Sequence, residues 1–147
     1  MPVVLQPVGL DDVAELLTLA REFHIEDGHP LDAGGERAIR QTCAGHPMVR
    51  GYLIREGPAT LGYCVITLGF GIEFGGPDIF LDDLYLVQEA RGRGVGDAVM
   101  AAIGAEALRH KARAIHLVVA PGNERAQRLY RRSGFARADY VLMSKRL

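Results

Sequence analysis

Residues 84–96 read Leu-Tyr-Leu-Val-Gln-Glu-Ala-Arg-Gly-Arg-Gly-Val-Gly, an apolar run that enters a turn with glycines at 92, 94 and 96. A strand feeding a helix through such a turn can bind phosphate. Successive backbone N–H groups and the positive end of the helix converge on an anion, and glycines let the backbone approach without a Cβ in the way. Two familiar phosphate loops do not fit. The P-loop pattern G-x-x-x-x-G-K-[ST] is absent, and G-x-G-x-x-G fails at its last position, Asp97 counted from Gly92 or Val99 counted from Gly94. Taken alone, Arg91, Gly92, Arg93, Gly94, Val95 and Gly96 equally suit a convenient structural turn. Upstream, Asp82 and Asp83 are adjacent on a strand and so point to opposite faces. Downstream, Asn123 suits a helix N-cap, and Tyr130 falls at helical spacing with Ala126 and Leu129, as a core residue would.

The elements that must position these residues can be read in order. Val3 to Pro7 is a short strand, and Asp11 caps a helix carrying Val13, Leu16, Leu17, Ala20 and Phe23 on one face. A second helix spans about Gly35 to Cys43. Tyr52 to Arg55 and Leu61 to Leu68 form a hairpin around Glu56-Gly57-Pro58, Gly69 to Asp78 is a glycine-rich loop, and Ile79 to Val87 is a strand. Gly94 to Arg109 is a helix and Ile115 to Ala120 a β-branched strand. Asn123 opens a helix that ends at Arg132 before Gly134, and Tyr140 to Arg146 is a terminal strand. The order βααβββαβαβ predicts one α/β domain over residues 1–147, α+β in its mixed sheet, with helices packed against that sheet.

Composition narrows the class. With 147 residues, 48% hydrophobic and 24% charged, the chain has material for one core and no case for disorder. Its longest uncharged stretch, Gly57 to Ile72, is 16 residues with four glycines, short of a membrane span. The N-terminus lacks the pattern of a secretory signal and the two cysteines make no disulfide framework, so a cytoplasmic protein with no membrane partner is expected. Charge is divided unevenly. Residues 1–90 hold 5 Lys/Arg and 14 Asp/Glu, net −9, whereas residues 91–147 hold 12 and 4, net +8. Two ligands of opposite sign are expected, or helix surfaces that happen to be basic. Only Tyr130, Phe135 and Tyr140 accompany the basic half, too few aromatics for a nucleic-acid platform, and a small polyanionic ligand fits better.

The two informative segments together resemble the GCN5-related N-acetyltransferase (GNAT) family. Its signature [QR]-x-x-G-x-[GA] is met by Arg91, Gly94 and Gly96, and N-x-x-A-x-x-L-Y-x-x-x-G-F is met at every fixed position from Asn123 to Phe135. The string Phe80-Leu81-Asp82-Asp83-Leu84-Tyr85 is similar to the polyamine and diamine acetyltransferase branch. The resemblance implies a GNAT-like fold, a mostly antiparallel twisted sheet flanked by about four helices, and acetyl-CoA as acyl donor. It implies phosphate binding at Arg91 to Gly96, with Asn123 either a cap or a cofactor contact. It also implies main-chain pairing of Leu84 and Leu86 with the pantetheine arm, and the N–H of Leu86 facing the thioester carbonyl. Tyr130 then stands where the family's general acid stands. A phenol near pKa 10 can protonate a departing thiolate when held close to it. A primary amine near pKa 10.4 arrives protonated, so a base is needed. The branch resemblance favours Asp82, with Asp83 as fallback or acting through water; substrate clamping or a structural role is the alternative for both.

The implied partner is a small-molecule amine, attacked directly in a ternary complex. Protein N-termini or lysines are the alternative acceptors, and a non-catalytic acyl-CoA-binding module is the alternative of another class. Pairing of C-terminal strands in a homodimer is an expectation from the family alone. Glu22, Glu26, Asp27, Asp32, Glu36, Glu73 and Asp78 are either a solvated surface or the lining of a cation site. His24 and His29 lack partners at ligand spacing and Cys43 with His46 is an isolated pair, so no metal is expected; Cys64 reads as a packed small hydrophobe.

Overall fold

Apolar residues that fill both faces of a strand require a layer on each side, and the central hairpin has that character. In a computed structural model that describes residues 1–147, nine elements follow in order: β1 (Val3–Pro7), α1 (Val13–Glu26), α2 (Ala33–Cys43), β2 (Val49–Glu56), β3 (Ala59–Gly71), β4 (Gly76–Leu86), α3 (Val95–Arg109), β5 (Ile115–His116) and α4 (Glu124–Arg132). The five strands lie in the order β1-β2-β3-β4-β5. Neighbours are antiparallel except β4 and β5, which are parallel and joined through the α3 crossover. The sheet is therefore mixed and mostly antiparallel, with four helices against it. No helix is long and apolar enough to cross a membrane.

The core is split by the sheet. On one face Ile54, Cys64, Ile66, Ile79 and Leu81 pack with Val95, Val99 and Ile103 of α3. On the other, Leu53, Tyr63, Val65 and Tyr85 pack with Leu16, Leu17 and Ala20 of α1 and Ile39 of α2. Burial of each such side chain contributes roughly 1.5 to 3 kcal/mol. Two helix starts are capped by side chains, Asp32 accepting from Gly35 N–H at 2.8 Å and Asn123 from Ala126 N–H at 3.1 Å. The first of these bonds holds the Asp32 carboxyl below its usual range.

Four expectations are corrected. A 3-10 turn, Leu10–Asp12, precedes α1, and Asp12 rather than Asp11 supplies the carboxylate, which accepts from Gly9 N–H at 2.8 Å. The loop expected at 69–78 is largely strand, because pairing continues through Gly69↔Asp78 and Gly71↔Gly76. β5 is two residues rather than six, and no terminal strand forms at Tyr140 to Arg146, where Tyr140 to Met143 are exposed. β-branched and aromatic residues favour a ladder but do not create one without a partner strand. Residues 117–120 have none, because β4 and β5 pair only at Ile79↔Ile115 and Phe80↔His116.

A bulge in β4 sets up everything that follows. Val65 pairs with Asp83 and Ile66 with Leu81, so Asp82 is an extra residue on its strand. Alternation changes phase there. Ile79 and Leu81 face α3 before the bulge, Leu84 and Leu86 face it after, and Asp83 and Tyr85 are turned toward α1.

Candidate active site

Where β4 and β5 part, a cleft of about 310 Å³ opens between the free edge of β4 and α4. The edge is polar. Val87 N–H donates to Leu61 O at 2.9 Å, one residue outside the Gly62↔Leu86 pair on each strand. In an antiparallel ladder that makes Gly62↔Leu86, and Cys64↔Leu84 two residues along, non-hydrogen-bonded pairs. The N–H and C=O groups of Leu84 and Leu86 consequently point away from β3 toward the cleft. β3 can press so closely because residue 62 is glycine: a Cβ there would lie 1.9 Å from Tyr85 O.

The glycine turn closes one end of the cleft. Gly92 (φ +74°) and Gly94 (φ +77°) are left-handed, a Cβ at either would meet nothing within 4 Å, and both line the cleft with N–H groups that donate to no backbone carbonyl. Gly96 differs. Its Cβ would sit 3.1 Å from Leu129 Cδ2, so this glycine serves the contact of α3 with α4. Arg91 is engaged rather than free: it donates to both carboxylate oxygens of Glu26 at 2.9 Å and to Leu86 O at 2.9 Å, with its cation over the Tyr85 ring. Arg93 lies 3.8 Å from Glu56. Arg125 and Arg128 on α4 are exposed cations on the cleft wall, and Arg132 there pairs with Asp97 at 3.1 Å.

Tyr130 lines the cleft from α4, half-buried, with its ring 5.9 Å from Phe135. Burial pushes its phenol above the ordinary value, which keeps it protonated at neutral pH. Asp82 borders this cleft and also a second cavity of about 430 Å³, beneath α2, whose wall includes His24, His46 and Asp83 and holds no Arg or Lys. Partial withdrawal from water raises the Asp82 carboxyl and the neighbouring Asp83 charge adds to this, while His24 opposes it. Asp83 is committed to internal bonds. Its Oδ2 accepts from Tyr63 OH at 2.7 Å and lies 2.9 Å from His24 Nε2.

A family model, that of the acetyltransferase (GNAT) family, matches residues 11–135. The chain belongs to the GNAT family. A thialysine N-epsilon-acetyltransferase of Bos taurus is 30% identical over 79 residues, which cover 54% of this chain and 46% of that protein, so the match spans about half of that relative. An integron cassette protein from the mobile metagenome of Cole Harbour Salt Marsh superposes with a TM-score of 0.82 at 31% identity, covering 97% of this chain and 90% of that one. An aminoglycoside N-acetyltransferase in complex with a CoA-linked bisubstrate analogue superposes with a TM-score of 0.81 at 15% identity, covering 100% and 99%, and shares the fold.

Within this GNAT domain most of the residues singled out by sequence come together, whereas Val95 of α3 is buried in the core and Arg93 and Asp83 lie outside the cleft wall. Leu84, Leu86, Gly92, Gly94, Asn123, Tyr130 and Asp82 all border the one cleft. The acidic run does not gather as a single cation site. Glu22 meets Tyr85 OH at 3.2 Å, Glu26 meets Arg91, Glu36 meets Arg21 at 2.7 Å, and Asp78 pairs with His116 at 3.3 Å. Cys64 is fully buried and its thiol is pushed up to about 12, which leaves it inert. Sequence reasoning weighed His24 only as a metal ligand and passed over Tyr63, Arg125 and Arg128. For the two arginines a signal existed, since Arg125 and Arg128 lie one turn apart within the Asn123 to Phe135 motif.

Proposed function

We propose that the protein transfers the acetyl group of acetyl-CoA to the primary amine of a small cationic acceptor. The observation that carries this reading is the meeting of three groups at one cleft: the edge amides of Leu84 and Leu86, the protonated phenol of Tyr130, and the Asp82 carboxylate. Membership of the GNAT family supports it, as does the thialysine acetyltransferase relative. The chain's own groups suit the donor. Open amides at Gly92 and Gly94 with the start of α3 would receive its pyrophosphate, and Arg125 and Arg128 would add positive charge. The bound donor supplies an activated acyl carbon.

The remaining work falls to the protein. Leu86 N–H is directed to stabilise negative charge that develops on the carbonyl oxygen, an effect typically worth about 3 to 4 kcal/mol. Tyr130 holds a proton for the leaving sulfur. Asp82, at the junction of cleft and second cavity, supplies the counter-charge for an ammonium group, and the absence of Arg and Lys from that cavity wall favours a cation. A cytoplasmic setting suits such chemistry.

The test is thiol release from acetyl-CoA with a panel of amines. Diamines and lysine-like amines are expected to turn over faster than acceptors with a carboxylate beside the amine, and kcat/KM for a diamine should fall as salt rises. Faster reaction of acidic acceptors would reject a cationic substrate, and no thiol release with any amine would reject the transferase reading.

A further inference from the structure

An alkyl amine near neutral pH carries a proton on the lone pair that must attack, since its pKa is about 10.4. Some group beside the acceptor must take that proton. A carboxylate is a weak base for this purpose, and Asp82 is better matched to holding the cation. An imidazole, with a model-peptide pKa of about 6.5, stands closer to the amine in basicity.

His24 projects from the last turn of α1 onto the wall of the second cavity that Asp82 also borders. Its Nε2 lies 2.9 Å from Asp83 Oδ2, and Asp83 accepts in turn from the Tyr63 hydroxyl at 2.7 Å. Tyr63 is 0% exposed and the Asp83 side chain 12%, whereas the imidazole keeps 24% of its surface. The ring is held further by the edge of Phe23, 5.2 Å away. An ionised carboxylate can only accept hydrogen bonds, so Nε2 carries the hydrogen and Nδ1 of the neutral ring keeps its lone pair. Nδ1 makes no hydrogen bond within the protein.

We propose that His24 is the general base of the transfer, with Asp83 and Tyr63 as positioning residues that fix its tautomer, and that Asp82 holds the acceptor's charge. This rests on the reading of the protein as an acetyl-CoA-dependent N-acetyltransferase. His24 Nδ1 takes one proton from the ammonium and later returns it to solvent. The freed lone pair forms the C–N bond to the acyl carbon and the C–S bond breaks. Tyr130 gives its phenolic proton to the leaving sulfur and regains one from the nitrogen of the new amide, so that one proton is released overall.

The groups around His24 are Asp82 and Asp83 of β4 and Tyr63 of β3, and His46 from the turn after α2 lines the same cavity. Protonation of Nδ1 removes the base, so activity falls on the acid side. The test uses the full chain with acetyl-CoA and 1,4-diaminobutane, comparing wild type with His24→Gln, Asp83→Asn and Asp82→Asn across the pH range. His24→Gln should lower kcat roughly 10- to 1000-fold with KM nearly unchanged and should abolish the acid limb. Asp83→Asn can donate to Nε2 and so reverse the tautomer; a comparable loss of kcat is expected with an unchanged circular dichroism spectrum. Asp82→Asn should chiefly raise KM for the diamine. Nitrogen-15 NMR of wild type should show Nε2 protonated and Nδ1 bare at neutral pH. A His24→Gln enzyme within twofold of wild type and with the same pH profile, or an Nδ1–H tautomer, would overturn the assignment while leaving wild-type turnover, and the transferase reading, intact. Failure of wild type to release thiol with any amine would overturn both.

Discussion

The two halves of β4 are made of similar residues and behave differently. Before Asp82, Ile79 and Leu81 are 1% and 4% exposed, and Ile79 and Phe80 are paired on both edges of the strand. After it, Leu84 and Leu86 are only half-buried, and their amides face a cleft on one side. The first half anchors the sheet and the second presents backbone to the cleft. Loss of β5 as a neighbour is what converts one into the other, and the bulge re-aims the side chains at the point of conversion.

The largest expected effect is in the anchored half. Ile79→Ala should destabilise the fold by about 2 to 5 kcal/mol in urea denaturation, while Leu86→Ala should cost clearly less. Equal losses would remove the distinction between the halves. Next, Tyr130→Phe should lower kcat roughly 10- to 1000-fold, with affinity for acetyl-CoA nearly unchanged in calorimetry. An unaffected kcat would return Tyr130 to the core.

Donor binding separates the glycines. Acetyl-CoA at about 100 times its Kd should stabilise wild type by about 2.7 kcal/mol, and Gly94→Glu should abolish that shift. Its left-handed backbone adds a cost of about 1 kcal/mol to the free protein. Gly96→Glu should instead lower the Tm of the free protein, since its Cβ would already sit 3.1 Å from Leu129 Cδ2 where α3 meets α4. Matching behaviour of the two variants would deny them separate roles.

The smallest effect concerns Asp82. Its pKa is raised in the folded state, so the folded chain binds more protons than the unfolded one, and stability falls as pH rises through the interval between the two values. Asp82→Asn should therefore raise Tm slightly at neutral pH while raising KM for the acceptor, and the gain in Tm should vanish in acid. A lower Tm at neutral pH would show that the charge is welcome there.

Much of this arrangement was legible from residues alone. The helical spacing of α1 and α3, the cap at Asn123 and the turn at Gly94 follow from local preferences, and local preferences are what a chain displays. What depends on pairing was not. Nothing in Ile115 to Ala120 says that its neighbour departs after Phe80, and nothing in Tyr140 to Arg146 says that no strand lies beside it. The link of His24 to Asp83 joins positions 59 apart, and only the packing of α1 on β4 creates it. Adjacent aspartates in a regular strand would simply alternate; the bulge that gives Asp82 access to both cavities depends on the register of β3.

Arg91 joins pieces that the chain keeps apart. One guanidinium grips the Glu26 carboxylate at the end of α1 and the Leu86 carbonyl at the end of β4, while its own backbone begins the glycine turn. Helix end, strand edge and turn are thus tied through one side chain. His24 lies two residues before Glu26 on the same helix, so the tie reaches close to the imidazole, and whatever coupling it carries between the two binding sites is reciprocal. Glu26→Gln would slacken this tie, and the affinity for one substrate should then depend less on the presence of the other.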